Sequence, residues 1–361
     1  MNPPMMQIRT NQHPVFIGDE VFDQFSEWWS GHSHSFSSVF ILADTNTHDQ
    51  CVPIFLREIQ GFGDFEILEV EEGEEIKSIE VLHNLWQALA SLGADRRSLI
   101  INIGGGVITD LGGFLAATYM RGIAYVNFPT SLLAQVDASV GGKTGINVDG
   151  IKNLAGSFYP PLGVYIYPGF LSTLDPREIK SGYAEVLKHG LIANKDHFHA
   201  AMRLPDTDTP AFQDLIQVSI GIKAEIVERD FKESGLRKVL NFGHTIGHAL
   251  EAYFLGSPRE MTHGEAVAFG MMAEITLSKI KGLLQGDIAD ELRDSLQNLY
   301  GRTFLEPTEI DALLDIMRSD KKNEKGEFRF TLLKAPGFAE PDIPVSRPEV
   351  LDALKITFIA P

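Results

Sequence analysis

Short runs of apolar and β-branched residues recur through the first half of the chain, at residues 39–42, 99–103, 124–128 and 164–167, with helical patterns between them. This alternation predicts an α/β layer. Each run ends in polar or glycine-rich residues, which is where an open parallel sheet presents its ligand-binding edge; Asp44 and Gly104 begin two such ends. After about Asp175 the strand signal fades and longer helical periods take over, with Pro176 set after Asp175 to open a helix over residues 176–193. Punctuation at Tyr159-Pro160-Pro161 and Tyr167-Pro168-Gly169 puts the junction close to residue 174. The expected organisation is an α/β domain over 1–174 and a mostly helical domain over 175–361, without repeats or low-complexity tracts.

With 361 residues, 44% of them hydrophobic, the chain is long enough for two cores. Its 31 Lys+Arg against 49 Asp+Glu give a net charge of -18. Such a field repels nucleic acid and anionic lipid, so neither is an expected partner, and a phosphate-bearing ligand requires a local cluster of cations. Cys51 is the only cysteine, which rules out an internal disulfide and fits a reducing cytoplasm. The stretch from Met1 to Phe16 lacks the basic start and apolar run of a secretion signal, and no apolar run approaches the roughly 18 to 20 residues that cross a bilayer.

Several groupings carry candidate chemistry. Gly104-Gly105-Gly106, ahead of Asp110, follows a strand and opens a helix, whose backbone N–H groups suit a pyrophosphate; the same triplet also suits an ordinary tight turn. Asp44 suits either a ribose diol or a helix N-cap. His244 and His248 lie one helical turn apart, with His263 as a third imidazole, suited to a metal or phosphate or to a plain solvated pair. Gly243 and Gly247 cost that helix about 1 kcal/mol each, a cost that makes sense where something, such as a ligand, packs against the backbone. Glu185 and Lys188 share a helix face as ligand groups or as a surface ion pair. Asp137, Lys143, Lys152 and Asn153 gather in and beyond the glycine-rich residues 140–145, which read as flexible backbone.

The run from Gly104 to Arg121 resembles the 3-dehydroquinate synthase family, as do Pro129-Thr130-Ser131, Gly141-Gly142-Lys143, Lys152-Asn153, Ala184-Glu185-Val186-Leu187-Lys188, Gly235-Leu236-Arg237, the His244/His248 segment and Asp320-Lys321-Lys322. The resemblance extends in one order from about residue 44 to 333. It implies a Rossmann-like NAD-binding domain followed by a helical metal-binding domain, with the active site in the cleft between them. NAD contacts would come from Asp44, Glu74, Lys77, Gly105, Gly106, Asp110, Thr130, Ser131, Lys143, Lys152, Phe170 and Thr173; Ser131 stands where threonine is more usual and keeps the hydroxyl. One divalent metal, zinc first and cobalt as a substitute, would sit on Glu185, His244 and His263. Arg121, Lys143, Lys152, Lys188, Arg237 and Lys321, with Asn153, Asn241 and His248, would hold substrate phosphate and carboxylate, oriented by Asp137, Lys223 and Glu233. Whether Lys321 or Lys322 makes the contact stays open.

The activity implied is conversion of 3-deoxy-D-arabino-heptulosonate 7-phosphate to 3-dehydroquinate and phosphate, a step of the shikimate pathway to aromatic amino acids, in a cytoplasmic homodimer. Other readings are a cyclase for sedoheptulose 7-phosphate or glucose 6-phosphate, a metal-dependent polyol dehydrogenase, or an inactive nucleotide-binding relative.

Overall fold

The structure, a computed structural model, describes residues 6–9, 13–59, 61–149, 151–319 and 328–359. The strands are β1 (Met6–Arg9), β2 (Pro14–Ile17), β3 (Val39–Asp44), β4 (Glu66–Val70), β5 (Leu99–Gly104), β6 (Ala124–Pro129), β7 (Lys143–Val148), β8 (Ile151–Phe158), β9 (Val164–Ile166), β10 (Phe328–Ala335) and β11 (Phe338–Val345). The α-helices are α1 (Val21–His32), α2 (Thr45–Gln50), α3 (Val52–Glu58), α4 (Ile79–Ser91), α5 (Gly106–Thr118), α6 (Pro176–Ala193), α7 (Lys195–Ala201), α8 (Pro210–Arg229), α9 (His244–Phe254), α10 (His263–Ile280), α11 (Gly286–Tyr300), α12 (Pro307–Ser319) and α13 (Arg347–Phe358).

The chain divides into two compact units, Met1–Ile179 with Asp206–Glu228, and Lys180–Pro205 with Arg229–Pro361. In the first, a seven-stranded sheet runs β1-β2-β9-β6-β5-β3-β4, parallel throughout except where β1 pairs antiparallel with β2. Alternate residues of a strand face opposite sides, so Val39, Ile41, Ile101 and Ile103 enter one apolar cluster with Phe25, Phe55 and Phe128. Phe40, Leu42 and Ile100 enter the other with Leu85, Leu111 and Leu115. Helices cover both faces, which is why the central strands read as unbroken apolar runs.

The glycine-rich stretch read as flexible is instead the start of an antiparallel hairpin, β7 against β8. Gly145 and Gly156 pair across it, and a Cβ on Gly156 would sit 2.4 Å from the Thr144 carbonyl oxygen. Helix α8 follows the proline-glycine punctuation yet packs with the first unit, so that punctuation marks the end of the sheet rather than the end of the unit.

The second unit is mostly helical, as the pattern predicts, and adds the hairpin β10–β11 that the fading strand signal did not announce. Its central element is α10, buried on every side from Ala266 to Ser278. Among the described residues no helix is long and apolar enough to cross a membrane.

Candidate active site

In the first unit the parallel register sets the ends of β3, β5 and β6 side by side, with Gly104 opposite Pro129. Asp44 accepts the Thr47 amide at 2.8 Å in a capping box at the start of α2, so its N-cap reading is realised. Gly105 is the N-cap of α5 and makes no side-chain cap, which leaves the helix's first N–H groups for a ligand or solvent. A Cβ on Gly105 would lie 3.3 Å from the Ser131 hydroxyl, which itself accepts the Ala134 amide at 3.2 Å. The Thr130 amide donates to the Gly104 carbonyl at 3.0 Å.

Beside this edge, Lys77 is buried and its ammonium lies 2.6 Å from Asp110; burial pushes the Asp110 carboxyl up, against the pull of Lys77. Asn147 on β7 donates to Glu74 at 2.8 Å while its own amide N–H meets the Lys77 carbonyl at 2.7 Å. It also accepts the backbone N–H of Asn153, which has φ 53, at 2.9 Å. The hairpin bearing the exposed Lys143 and Lys152 is thus tied to the Glu74–Lys77 segment. Phe170 is wholly buried in the aromatic core, so only its backbone can meet a ligand; the Thr173 hydroxyl donates to its carbonyl at 2.8 Å. Asp137 lies in a π-helical turn, a form common at functional sites, and its carboxylate is 2.7 Å from the ammonium of Lys223 on α8. Arg121 is exposed with φ 72.

In the second unit, Glu185 on α6, His244 at the start of α9 and His263 at the start of α10 converge. Glu185 Oε1 lies 3.7 Å from His244 Nε2 and 3.9 Å from His263 Nε2. Tetrahedral zinc with bonds of ~2.1 Å holds its donors about 3.4 Å apart, so each Glu185–imidazole pair need contract by only a few tenths of an ångström, and all three ligand atoms lie within 4.8 Å of one another. Glu185 is fully buried, and among the described residues Oε1 meets no hydrogen-bond donor, which leaves that oxygen available to a cation. The Glu185 Oε2 side pairs with Lys188, itself 1% exposed, which removes the reading of a surface ion pair.

Both imidazoles are pre-set as ligands. His244 Nδ1 lies 3.1 Å from the Phe242 carbonyl and His263 Nδ1 lies 3.4 Å from Glu251, which turns each Nε2 lone pair toward Glu185. Burial, then the neighbouring Lys188, His248 and His263, hold the His244 pKa well below the ordinary imidazole value, in the neutral form that binds metal. The residues fit a divalent ion.

Backbone contacts bring the donors together. The Ser181 hydroxyl accepts the Gly264 amide at 3.0 Å, and a Cβ on Gly264 would lie 1.8 Å from the Ser181 carbonyl oxygen, so α6 and α10 touch main chain to main chain. Gly243, φ 80, gives its N–H to Glu274 at 2.6 Å; a Cβ on Gly270 would lie 2.0 Å from the Gly243 carbonyl oxygen and one on Gly247 3.0 Å from Ala266. The close packing inferred from these glycines is therefore with the α10 backbone and not with a ligand. His248 sits edge-on to His244 at 5.1 Å between ring centroids. Arg237 is buried, donating to the Phe231 carbonyl at 2.6 Å, and Asn241 donates to Glu233 at 2.9 Å. Lys321 and Lys322 lie outside the described residues.

Glu251, Asn147 and Glu274 escaped the sequence reading. Glu251 had a signal, lying two helical turns after His244 on the same face of α9. Asn147 and Glu274 act on backbone N–H or carbonyl groups and leave no spacing to read.

In fold the chain is similar to 2-deoxy-scyllo-inosose synthase complexed with carbaglucose-6-phosphate, NAD+ and Co2+, at a TM-score of 0.87 and 24% identity over 98% of this chain and 100% of that one. It is also similar to a 2-epi-5-epi-valiolone synthase from Streptomyces hygroscopicus with NAD+ and Zn2+ bound, at 0.83 and 24% over 98% and 99%. The fold class is thus the one these two synthases share, a parallel-sheet unit and a mostly helical unit. Models of the 3-dehydroquinate synthase N-terminal and C-terminal regions match residues 67–181 and 182–323. A 3-dehydroquinate synthase of Parabacteroides distasonis is 45% identical over 95% of this chain and 97% of its own length, and one of Dictyoglomus thermophilum 37% over 97% of each. The chain belongs to the 3-dehydroquinate synthase family.

Proposed function

We propose that the chain converts 3-deoxy-D-arabino-heptulosonate 7-phosphate to 3-dehydroquinate and inorganic phosphate, with NAD and one divalent metal, zinc first and cobalt second. The observation that carries the reading is the buried Glu185 Oε1 facing two imidazole Nε2 atoms whose Nδ1 atoms are engaged. Relatives of that activity at 37–45% identity support the substrate. Residues 1–174, with α8 packed in the same unit, are taken as the NAD-binding part and the rest of 175–361 as the metal- and substrate-binding part of a cytoplasmic homodimer.

Three protein ligands leave coordination positions for substrate oxygens. Bound there, the ion supplies Lewis acidity at a substrate hydroxyl while NAD supplies a reversible hydride acceptor. Lys188, buried against Glu185, sets its amino group beside the metal position, where it can hydrogen-bond a substrate oxygen. Arg121, Lys143, Lys152, Arg237 and Lys321, with Asn153, Asn241 and His248, hold the phosphate and carboxylate through charge-assisted hydrogen bonds. Asp137 and Lys223 brace each other, and Glu233 braces Asn241. The substrate alcohol is oxidised, phosphate leaves with its own oxygen as proton acceptor, the ketone is reduced again, and the opened ring closes by an intramolecular aldol step. Oxidation and reduction cancel. The side chains' main task is then to keep one conformer through every step.

The test incubates metal-loaded protein and NAD with 3-deoxy-D-arabino-heptulosonate 7-phosphate, sedoheptulose 7-phosphate or glucose 6-phosphate, following phosphate, cyclic product and bulk NADH. Phosphate release and 3-dehydroquinate without NADH build-up are expected from the first alone. Steady NADH without phosphate would make the chain a polyol dehydrogenase, and product only from another sugar phosphate would reassign the substrate.

A further inference from the structure

The segment between α8 and α9 is organised by a carboxylate that none of the roles above uses. Asp230 Oδ1 accepts the Ser234 amide at 2.9 Å and the Ser234 hydroxyl at 3.0 Å; Oδ2 accepts the Gly235 amide at 2.7 Å and the Arg237 amide at 3.0 Å. Four donors on one side chain fold the segment into a closed turn. Inside it, Glu233 is held at φ 57, a left-handed conformation that a side chain disfavours and that persists only where surrounding bonds enforce it. The turn in turn aims the groups proposed for substrate: Arg237 reaches back to the Phe231 carbonyl at 2.6 Å, and Glu233 accepts the Asn241 amide group at 2.9 Å.

We infer that Asp230 is a positioning residue for substrate binding, pre-organising the turn so that the Arg237 guanidinium and the Glu233–Asn241 pair stand ready for an anionic substrate. Burial opposes its charge, but the Arg237, Gly235 and Ser234 amides and the Ser234 hydroxyl outweigh that effect and lower its pKa to about 2, so the carboxylate keeps all four acceptor contacts at any working pH. Asparagine cannot replace it, because an amide NH2 would then face backbone N–H groups. The inference rests on the cyclase reading above.

The experiment compares Asp230→Asn, Arg237→Ala and the double variant as metal-loaded enzymes with NAD. Expected for Asp230→Asn is a KM for 3-deoxy-D-arabino-heptulosonate 7-phosphate raised about 10-fold or more, a kcat within about 3-fold, unchanged metal content, and faster amide exchange across residues 231–237. If Asp230 acts through Arg237, the double variant is no worse than Arg237→Ala alone. An unchanged KM despite faster exchange, or fully additive losses, overturns the inference. Wild-type protein that releases no phosphate from this substrate overturns the cyclase reading instead, and the exchange measurement still reports on the turn.

Discussion

His263 stands between two carboxylates, Nε2 toward Glu185 and Nδ1 toward Glu251. A partner of this kind fixes the tautomer and raises the basicity of the ligand nitrogen. Glu251→Gln is therefore expected to weaken metal affinity about 10- to 100-fold with the fold intact, read by competition with a chelating dye; wild-type affinity would remove Glu251 from the metal's support. His244→Ala loses a donor outright and is expected to lose both bound metal and turnover. Two buried imidazoles away from the proposed metal ligands contribute to acid stability. Burial, followed by His189, lowers the His197 pKa to about 4, and burial alone lowers that of His13 to about 4. Unfolded histidine titrates near 6.5, so on acidification the unfolded chain takes up these protons first. The stability they contribute is complete above about pH 6.5 and is lost as pH falls toward 4, at up to about 3 kcal/mol each. Urea titrations between pH 7 and 4.5 check this, and His197→Gln should shallow the slope. At this scale the sequence exposes residues whose type and spacing carry chemistry, such as His244 and His263. It hides Asp230 and Asn147, whose partners are backbone atoms of a folded turn.

The elements that carry the proposed metal donors are spaced by glycine. Gly264→Ala would press a methyl group into the Ser181 carbonyl, so a loss of about 1–3 kcal/mol or more is expected in denaturant melts, together with weaker metal retention as α6 and α10 spread. Gly221→Ala on α8, where nothing lies within 4 Å of the new carbon, should be neutral or stabilise by about 0.5–1 kcal/mol. Equal effects at the two positions would refute the spacing argument. The legible elements were those with strong local signals: β3, β5, β6 and β9, buried on both faces, and α6, opened by Asp175 and Pro176. Edge strand β4 mixes exposed Glu66 and Glu69 with one buried Leu68 and looks polar. The β7–β8 hairpin hides behind glycines that suggest looseness but serve close strand pairing, and Gly243 and Gly247 likewise point to a neighbour without saying which.

For the molecule as a whole, the three proposed metal ligands come from three separate helices of one unit, so metal binding there would be linked to that unit's stability. Stripping the ion with a chelator is expected to lower the unfolding temperature, and zinc at 100 times its dissociation constant to restore about 2.7 kcal/mol. Amide exchange should slow on α6, α9 and α10 when the ion returns, and protection gained only in the sheet would contradict the assignment. The fold class was readable because it follows from the two hydrophobic periods. The path of the chain between units was not, because the packing of α8 with the sheet unit has no local trace. That path crosses from one unit to the other three times, after Ile179, Pro205 and Glu228. No single cut in the gene can therefore yield two fragments that each hold a whole unit. A sheet fragment ending at residue 174 would lack the helix that brings Lys223 to Asp137, and the complementary fragment would carry that helix with no sheet to receive it. A single crossover with a relative's gene would therefore leave at least one unit assembled from both parents.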